Sequence, residues 1–230
     1  MTRNTVKPNT KQRDLITNTK KNSPISEQYR IIRTNIQFAS VDKEIKTIIV
    51  TSAGPGEGKS TTSANLAVVM AQTGKKVLYI DSDLRKPTGH YTFEVLNTRG
   101  LTSLLTKQEE IVDTIQQSKI ENLYILPSGP IPPNPAELLS SNAMVELLEH
   151  LKKEFDTIII DTPPVVAVTD AQILSSKCDG TVFVASCGKT NREHAVKAKE
   201  LLTKSNANIL GVVVNNKKDT GDSYYYYYGE

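Results

Sequence analysis

Cysteine is scarce in this chain, with only Cys178 and Cys187 among 230 residues. Two thiols so far apart form neither a CxxC redox pair nor a zinc site, and no signal peptide points to an oxidising compartment, so both are expected to be small buried apolar groups. His90, His150 and His194 show no ligand spacing. No apolar run approaches the roughly 20 residues needed to cross a bilayer, and the chain is expected to be soluble. Charge of one sign is also missing from most of the sequence. The net charge is +3, but Met1 to Pro24 holds Arg3, Lys7, Lys11, Arg13, Lys20 and Lys21 against Asp14 alone, which leaves the remainder slightly acidic. A near-neutral body lacks the basic face of a dedicated nucleic-acid binder, so no nucleic-acid partner is expected.

What the chain does contain is organised around Thr51 to Thr62, TSAGPGEGKSTT. An apolar run, Ile45 to Val50, precedes it and a helical pattern, Ser63 to Thr73, follows. Strand, glycine-bearing turn and helix N-terminus together aim backbone N–H groups and the positive end of a helix dipole at one spot, which suits phosphate. The stretch reads as a P-loop with Gly56, Glu57, Gly58, Lys59, Ser60 and Thr61 as nucleotide-binding residues. Gly56 and Gly58 let the backbone wrap an anion, Lys59 reaches the outer phosphates and the Ser60 hydroxyl offers itself to magnesium. One departure is Ala53, where the strict pattern has glycine.

Taken in order, residues 1–24 are polar, show no apolar period and read as a flexible arm. Ser26 is expected to cap a helix of about 14 residues carrying Ile31, Ile32, Ile36 and Phe38 on its apolar side. Glu27, Arg30 and Arg33 lie down one side of that helix, suited either to solvation or to a subunit contact through forked arginine–carboxylate bonds. Gly74 closes the helix after the P-loop, and Lys76 to Asp81 reads as a buried strand ending beside Asp83. Paired carboxylates there lie where open α/β sheets bind ligands, although aspartate at a strand end also forms turns and caps.

Leu101 to Lys119 reads as short helices and Asn122 to Pro127 as a strand. Asn134, Pro135 and Glu137 form a helix start, with that helix running to about Lys153 and Leu138, Leu139, Val145, Leu148 and Leu151 inward. Asp156 to Asp161 is a hydrophobic strand ending in aspartate, the form of a Walker B element that holds magnesium. Val168 to Ser176 is helical, Gly180 to Ser186 a strand, Asn191 to Lys204 a helix and Ile209 to Asn215 a last strand. Strands alternating with helices predict a mostly parallel sheet covered by helices on both faces. Three segments result: an arm (1–24), a P-loop domain (25–216) and a tail (217–230). The tail ends in Tyr224, Tyr225, Tyr226, Tyr227 and Tyr228, whose hydroxyls no apolar period can carry into the core.

An ATP and magnesium site with spare carboxylates supports phosphoryl transfer: Lys59 and magnesium neutralise charge while an aspartate takes the acceptor's proton. Acceptor hydroxyls on the same polypeptide suggest self-phosphorylation, in trans if the tail reaches a neighbour.

GPGEGKST, VLYIDSDLRKP, IIIDTPP, PPNPAELL, the Glu27–Arg30–Arg33 pattern and the terminal tyrosines together resemble the bacterial tyrosine kinases of the polysaccharide co-polymerase system, over essentially residues 22–230. The resemblance implies an α/β P-loop NTPase fold of the MinD-like branch. It implies Lys59 and Ser60 as Walker A ligands, and Asp81 and Asp83 as the acidic motif called Walker A′. Lys59, Asp81 and Asp83 are then catalytic, while Ser60, Asp83 and Asp161 hold the metal. Glu27, Arg30 and Arg33 would join subunits into a ring in which each tail enters the next active site. Further implied are a membrane-protein activator supplying a cytoplasmic segment, protein tyrosine substrates of the polysaccharide pathway, and a cytoplasmic location at the inner face of the membrane. The main alternative is a partition or site-selection ATPase of the same fold. Those proteins carry a signature lysine where this chain has Gly54. A scaffold that merely binds ATP would leave the acidic residues idle.

Overall fold

The computed structural model describes residues 12–39 and 44–217. Its strands are β1 (Thr47–Ser52), β2 (Val77–Asp81), β3 (Gln116–Gln117), β4 (Leu123–Leu126), β5 (Thr157–Asp161), β6 (Gly180–Ser186) and β7 (Ile209–Asn215). The helices are α1 (Ile16–Thr19), α2 (Pro24–Phe38), α3 (Lys59–Ala71), α4 (Gly89–Phe93), α5 (Leu101–Leu105), α6 (Ile111–Thr114), α7 (Pro135–Ser140), α8 (Asn142–Glu154), α9 (Asp170–Ser175) and α10 (Arg192–Lys204). The sheet runs β3-β4-β2-β5-β1-β6-β7, parallel throughout except for the β3/β4 edge pair. The expected mostly parallel, doubly covered α/β sheet is borne out.

β1, β2 and β5 are buried along their full lengths. Strands covered on both faces need no polar alternation, which is why TIIVTS, VLYID and TIIID read as continuous apolar runs. One core layer packs α3 and α2 on the sheet, and the other packs α5, α7, α8 and α9 on its opposite face. α3 is buried almost all round because α1 and α2 lie over its outer side. Among the described residues, no helix is long and apolar enough to cross a membrane.

Several local expectations are corrected. Residues 12–24 are not a free arm. Thr17 is fully buried, and its N–H and hydroxyl donate to Asn65 Oδ1 of α3 at 3.0 and 2.8 Å. Asn65 Nδ2 in turn donates to the Asp14 carbonyl at 2.8 Å, and Gln72 Nε2 to the Thr17 carbonyl at 3.0 Å. Leu15 and Ile16 also pack against the core, but two adjacent apolar residues show no period, and the other contacts are polar. The cap of α2 is Ser23, whose Oγ accepts from Ser26 N at 3.1 Å, with Pro24 preset for the first turn. Ile36 and Tyr29 face inward there, whereas Ile31 and Phe38 are exposed.

The single helix expected from Asn134 is two helices. Ser141 is extended and its hydroxyl caps α8 through Met144 N, which resets the helical phase. Met144, Leu147, Leu148 and Leu151 therefore face the core and Val145 does not. Asn134 bonds the Glu137 carboxylate through its amide and makes no backbone cap. β3 was unexpected; two residues cannot show a period. Cys178 is half-buried, and its thiol is pushed up to about 12 by burial. Cys187 is exposed, contrary to expectation.

Candidate active site

The parallel register between β2 and β5 sets Asp81 directly beside Asp161. β1 lies on the other side of β5 and delivers the P-loop at the same sheet edge. Three strand ends thus converge on one place, as open α/β sheets require of a ligand site.

Gly56 and Gly58 adopt φ of 72° and 98°, the left-handed region that glycine enters without strain. Gly58 is also crowded: a Cβ there would stand 1.9 Å from Asn215 Nδ2. Lys59 opens α3 and turns inward, its Nζ 3.2 Å from Asp83 Oδ2, 3.8 Å from Asp161 Oδ1 and 3.1 Å from Ser60 Oγ. Burial works against the ammonium, but Asp161 and Asp83 outweigh it and hold Lys59 above the ordinary lysine range. Thr61 is partly exposed in the first turn of α3.

Glu57 plays a part the sequence did not suggest. Its buried carboxylate folds back to accept from Ala53 N at 3.1 Å, bracing the loop from within. Ala53 packs with Val165 and Phe183 in a small core, which accounts for alanine in place of the pattern's glycine.

The two aspartates of the second acidic motif are not equivalent. Asp81 is fully buried, and both oxygens accept backbone N–H groups: Oδ1 from Asp83, Oδ2 from Thr88 and Gly89 at 3.0 and 2.7 Å. It organises the turn into α4. Burial and then the charge of Asp161 raise its carboxyl to about 7. Asp83 faces an open cleft of about 680 Å³ lined also by Gly56, Lys59, Ser60, Arg85 and Pro164. Asp161 Oδ1 is buried and makes no hydrogen bond, while Oδ2 accepts from the Tyr79 hydroxyl at 3.3 Å. Burial raises Asp161 as well, and Lys59 opposes the rise.

A buried carboxylate oxygen with no hydrogen bond, facing Lys59 at 3.8 Å, together with the Ser60 hydroxyl and cleft-facing Asp83, fits a hydrated divalent cation. The described residues contain no ready-made group of three His, Cys, Asp or Glu for a metal. Such an ion would take much of its coordination from phosphate oxygens and water, as Mg²⁺ commonly does.

Four supporting residues were missed in the sequence. Lys189 Nζ donates to the Gly56 carbonyl at 3.0 Å and Asn215 Nδ2 to the Glu57 carbonyl at 3.1 Å, so the loop after β6 and the end of β7 both brace the P-loop. Arg85 forks onto Asp170 at the start of α9 with two 3.0 Å bonds, and Asp170 is fully buried. Of these, only an acidic residue in a helix's first turn leaves a trace in sequence.

Glu27, Arg30 and Arg33 do not act as one stripe. Arg30 pairs with Glu27 at 2.7 Å and with the Lys21 carbonyl, while Arg33 turns inward to the Val69 carbonyl at 2.9 Å. Tyr224 to Tyr228 lie outside the described residues.

The chain is 56% identical to the tyrosine-protein kinase YwqD of Bacillus subtilis, over 95% of its own length and 92% of that protein. It belongs to the bacterial tyrosine-protein kinases. Residues 45–209 of the kinase match the AAA domain family. Among solved structures, the chimerical protein CapA2B2 superposes with a TM-score of 0.87 at 45% identity, covering 90% of the kinase and 93% of that chain. The septum site-determining protein MinD of Pyrococcus horikoshii, complexed with Mg-ADP, superposes at 0.63 with 26% identity, covering 74% and 69%. The P-loop fold of the MinD-like branch is thereby borne out.

The buried carboxylates carry a prediction for the ligand-free kinase. Asp81 and Asp161 titrate higher folded than the ordinary 3.8, so between that value and about 7 the folded state binds more protons than the unfolded one. Stability must then fall as pH rises through this window. Calorimetry from pH 5 to 8 is expected to show that decline, and Asp81→Asn to flatten it.

Proposed function

We propose that the kinase uses ATP and magnesium to phosphorylate the Tyr224–Tyr228 cluster of a neighbouring copy of itself. The observation that carries this reading is Lys59 held between Asp83 and Asp161 on the floor of an open cleft. A site with fixed cationic and acidic groups needs little else for phosphoryl transfer. Ser60, Asp83 and Asp161 would hold magnesium, which supplies charge neutralisation at the phosphates. Lys59 stabilises negative charge on the group in transit. The tyrosine oxygen forms the new bond to the terminal phosphorus, the bond to the ADP oxygen breaks, and ADP leaves with its electron pair. The phenolic proton passes to a carboxylate. Asp83 lines the cleft and Asp81 does not, so Asp83 is the more accessible of the two, although its Oδ1 accepts from Lys86 N and its Oδ2 from Lys59.

The Glu27–Arg30 side of α2 is the proposed contact between copies in a ring, with Arg33 supporting the helix from behind. A membrane-protein partner would contribute an activating cytoplasmic segment and bring the kinase to the inner face of the membrane. The tyrosine cluster and protein tyrosines of the polysaccharide pathway would be its substrates, and control of capsular polysaccharide synthesis and export its role.

A mixing experiment tests the core of this. Full-length Lys59→Met, with its tyrosines intact, is incubated with a copy carrying Phe at all five tail positions, together with ATP, Mg²⁺ and the partner's cytoplasmic segment. Mass spectrometry is expected to find phosphate on Tyr224–Tyr228 of the Lys59→Met copy. Hydrolysis of ATP with no phosphotyrosine would overturn the kinase reading for the tail.

A further inference from the structure

The cleft beside Asp83 is lined by more cations than carboxylates. Its lining carries Arg13, Lys59, Arg85 and Lys86 against Asp83. Lys59 is committed to Asp83 and Asp161, and Arg85 to Asp170. Arg13 and Lys86 form no ion pair with any described residue. Two positive charges of the cleft lining are therefore without an ion-pair partner among the described residues.

Arg13 is there by construction. Its own N–H donates to Thr92 Oγ1 at 3.2 Å, and the next residue's carbonyl accepts from Asn65 Nδ2. Asn65 is fully buried on α3, where the same amide nitrogen also donates to the Thr61 carbonyl at 2.9 Å, and its oxygen takes both Thr17 bonds. The segment bearing Arg13 is thus bolted to the helix that begins with Lys59 and Ser60. Lys86 is fixed from the other side, its N–H donating to Asp83 Oδ1 at 3.1 Å.

The chain's own tyrosine segment has the opposite character. Asp219, Asp222 and Glu230 flank Tyr224–Tyr228, with Lys218 the only cation beyond residue 217. We propose that Arg13 and Lys86, with Arg85 behind them, form a recognition strip for acidic tyrosine segments, selecting acceptors by the carboxylates around the tyrosine. This rests on the tyrosine-transfer reading and specifies its acceptor class. Carboxylates bound by partly exposed cations gain modest, salt-sensitive energy, enough to set preference. Arg13 and Lys86 are then specificity residues that touch the acceptor outside its reacting hydroxyl.

The test uses the full chain with Phe at positions 224–228, Mg²⁺ and the partner's cytoplasmic segment. Acceptors are a synthetic peptide of residues 217–230 and a version with Asp219→Asn, Asp222→Asn and Glu230→Gln. Phosphorylation is followed with ATP, and binding of labelled peptide by fluorescence anisotropy with a non-hydrolysable ATP analogue. The acidic peptide is expected to have a KM about three- to tenfold lower than the neutralised one at low salt, with similar kcat. Arg13→Glu is expected to abolish that preference, and Arg13→Gln to reduce it, while melting temperature reports folding. Equal KM for both peptides on the unmodified strip overturns the proposal, as does a full preference retained in both Arg13→Glu and Lys86→Glu. Charge-dependent binding with no phosphate on either peptide would sink the transfer reading and leave the strip standing.

Discussion

Lys59→Met is expected to lower phosphate transfer to tyrosine about 10²–10³-fold at saturating ATP, the usual cost of deleting one preorganised charge from a transition-state site. Methionine keeps the length of the side chain and its packing in α3, so the loss is one of charge. Lys59 is buried, and among the described residues it is the only cation within 4.0 Å of Asp83 and Asp161. Asp161 is buried beneath the cleft, so removal of Lys59 leaves that carboxylate and the phosphoryl group without their cation. The ligand-free protein should therefore also lose stability at pH 8 more than at pH 5, because burial raises the Asp161 carboxyl and favours its protonated form as pH falls. Rapid-quench kinetics and calorimetry on the same preparation separate the effects. A rate loss below tenfold would remove Lys59 from the transferring machinery.

Gly100→Ala is expected to be the most damaging small substitution outside the P-loop. A Cβ at this position would lie 2.1 Å from Gly129 N, 2.3 Å from the Pro127 oxygen and 2.6 Å from Ser128 C, all backbone atoms that no rotamer change can move. The chain here is extended, so the conflict is one of space alone. The close approach lets Leu101 N and Thr102 N donate to the Pro127 and Ser128 carbonyls at 2.8 and 2.9 Å. Alanine must part these segments, losing those bonds and shifting Gly129, Pro130 and Ile131 in the cleft wall. The cost should be about 3 kcal/mol, or a melting temperature about 6–12 °C lower for a chain of this size. Gly74→Ala is the control: φ is +84° but nothing lies within 4 Å of a new Cβ, so only the left-handed backbone penalty of about 1 kcal/mol applies. Equal melting temperatures for the two variants would refute the crowding account.

The parts of the molecule legible in sequence are those whose neighbours impose a uniform environment. β1, β2 and β5 lie at the sheet centre, so their residues are apolar without interruption until the strand end, where Asp81 and Asp161 announce the site. The P-loop was legible because its glycines answer a backbone requirement. What stayed hidden depends on single polar contacts between distant residues. Thr17 and Asn65 turn a stretch that looks like a solvated arm into part of the domain. Ser141 breaks a helix whose apolar spacing looks continuous, because one hydroxyl accepting from Met144 N resets the phase. Arg85 finds its role only through Asp170, and Asp81 is turned away from the cleft by three backbone N–H groups. A periodic pattern records burial; it does not record which of two aspartates a turn has claimed.

The brace from Asn215 to Glu57 has a consequence in time. Chains are synthesised from the N-terminus, and domains fold as their residues emerge. The central strands β1, β2 and β5 are complete once residue 161 is available, whereas β7 and the amide that steadies the turn around Gly58 come last. β1 is closed on its other side by β6, and among the described residues β7 pairs with β6 alone, so the P-loop's strand and its amide brace are both completed from the C-terminal end of the domain. The turn around Gly58 is therefore braced, at Glu57, by a residue 158 positions further along the chain, so its last support is a long-range closure that comes only when the sheet is complete to its edge.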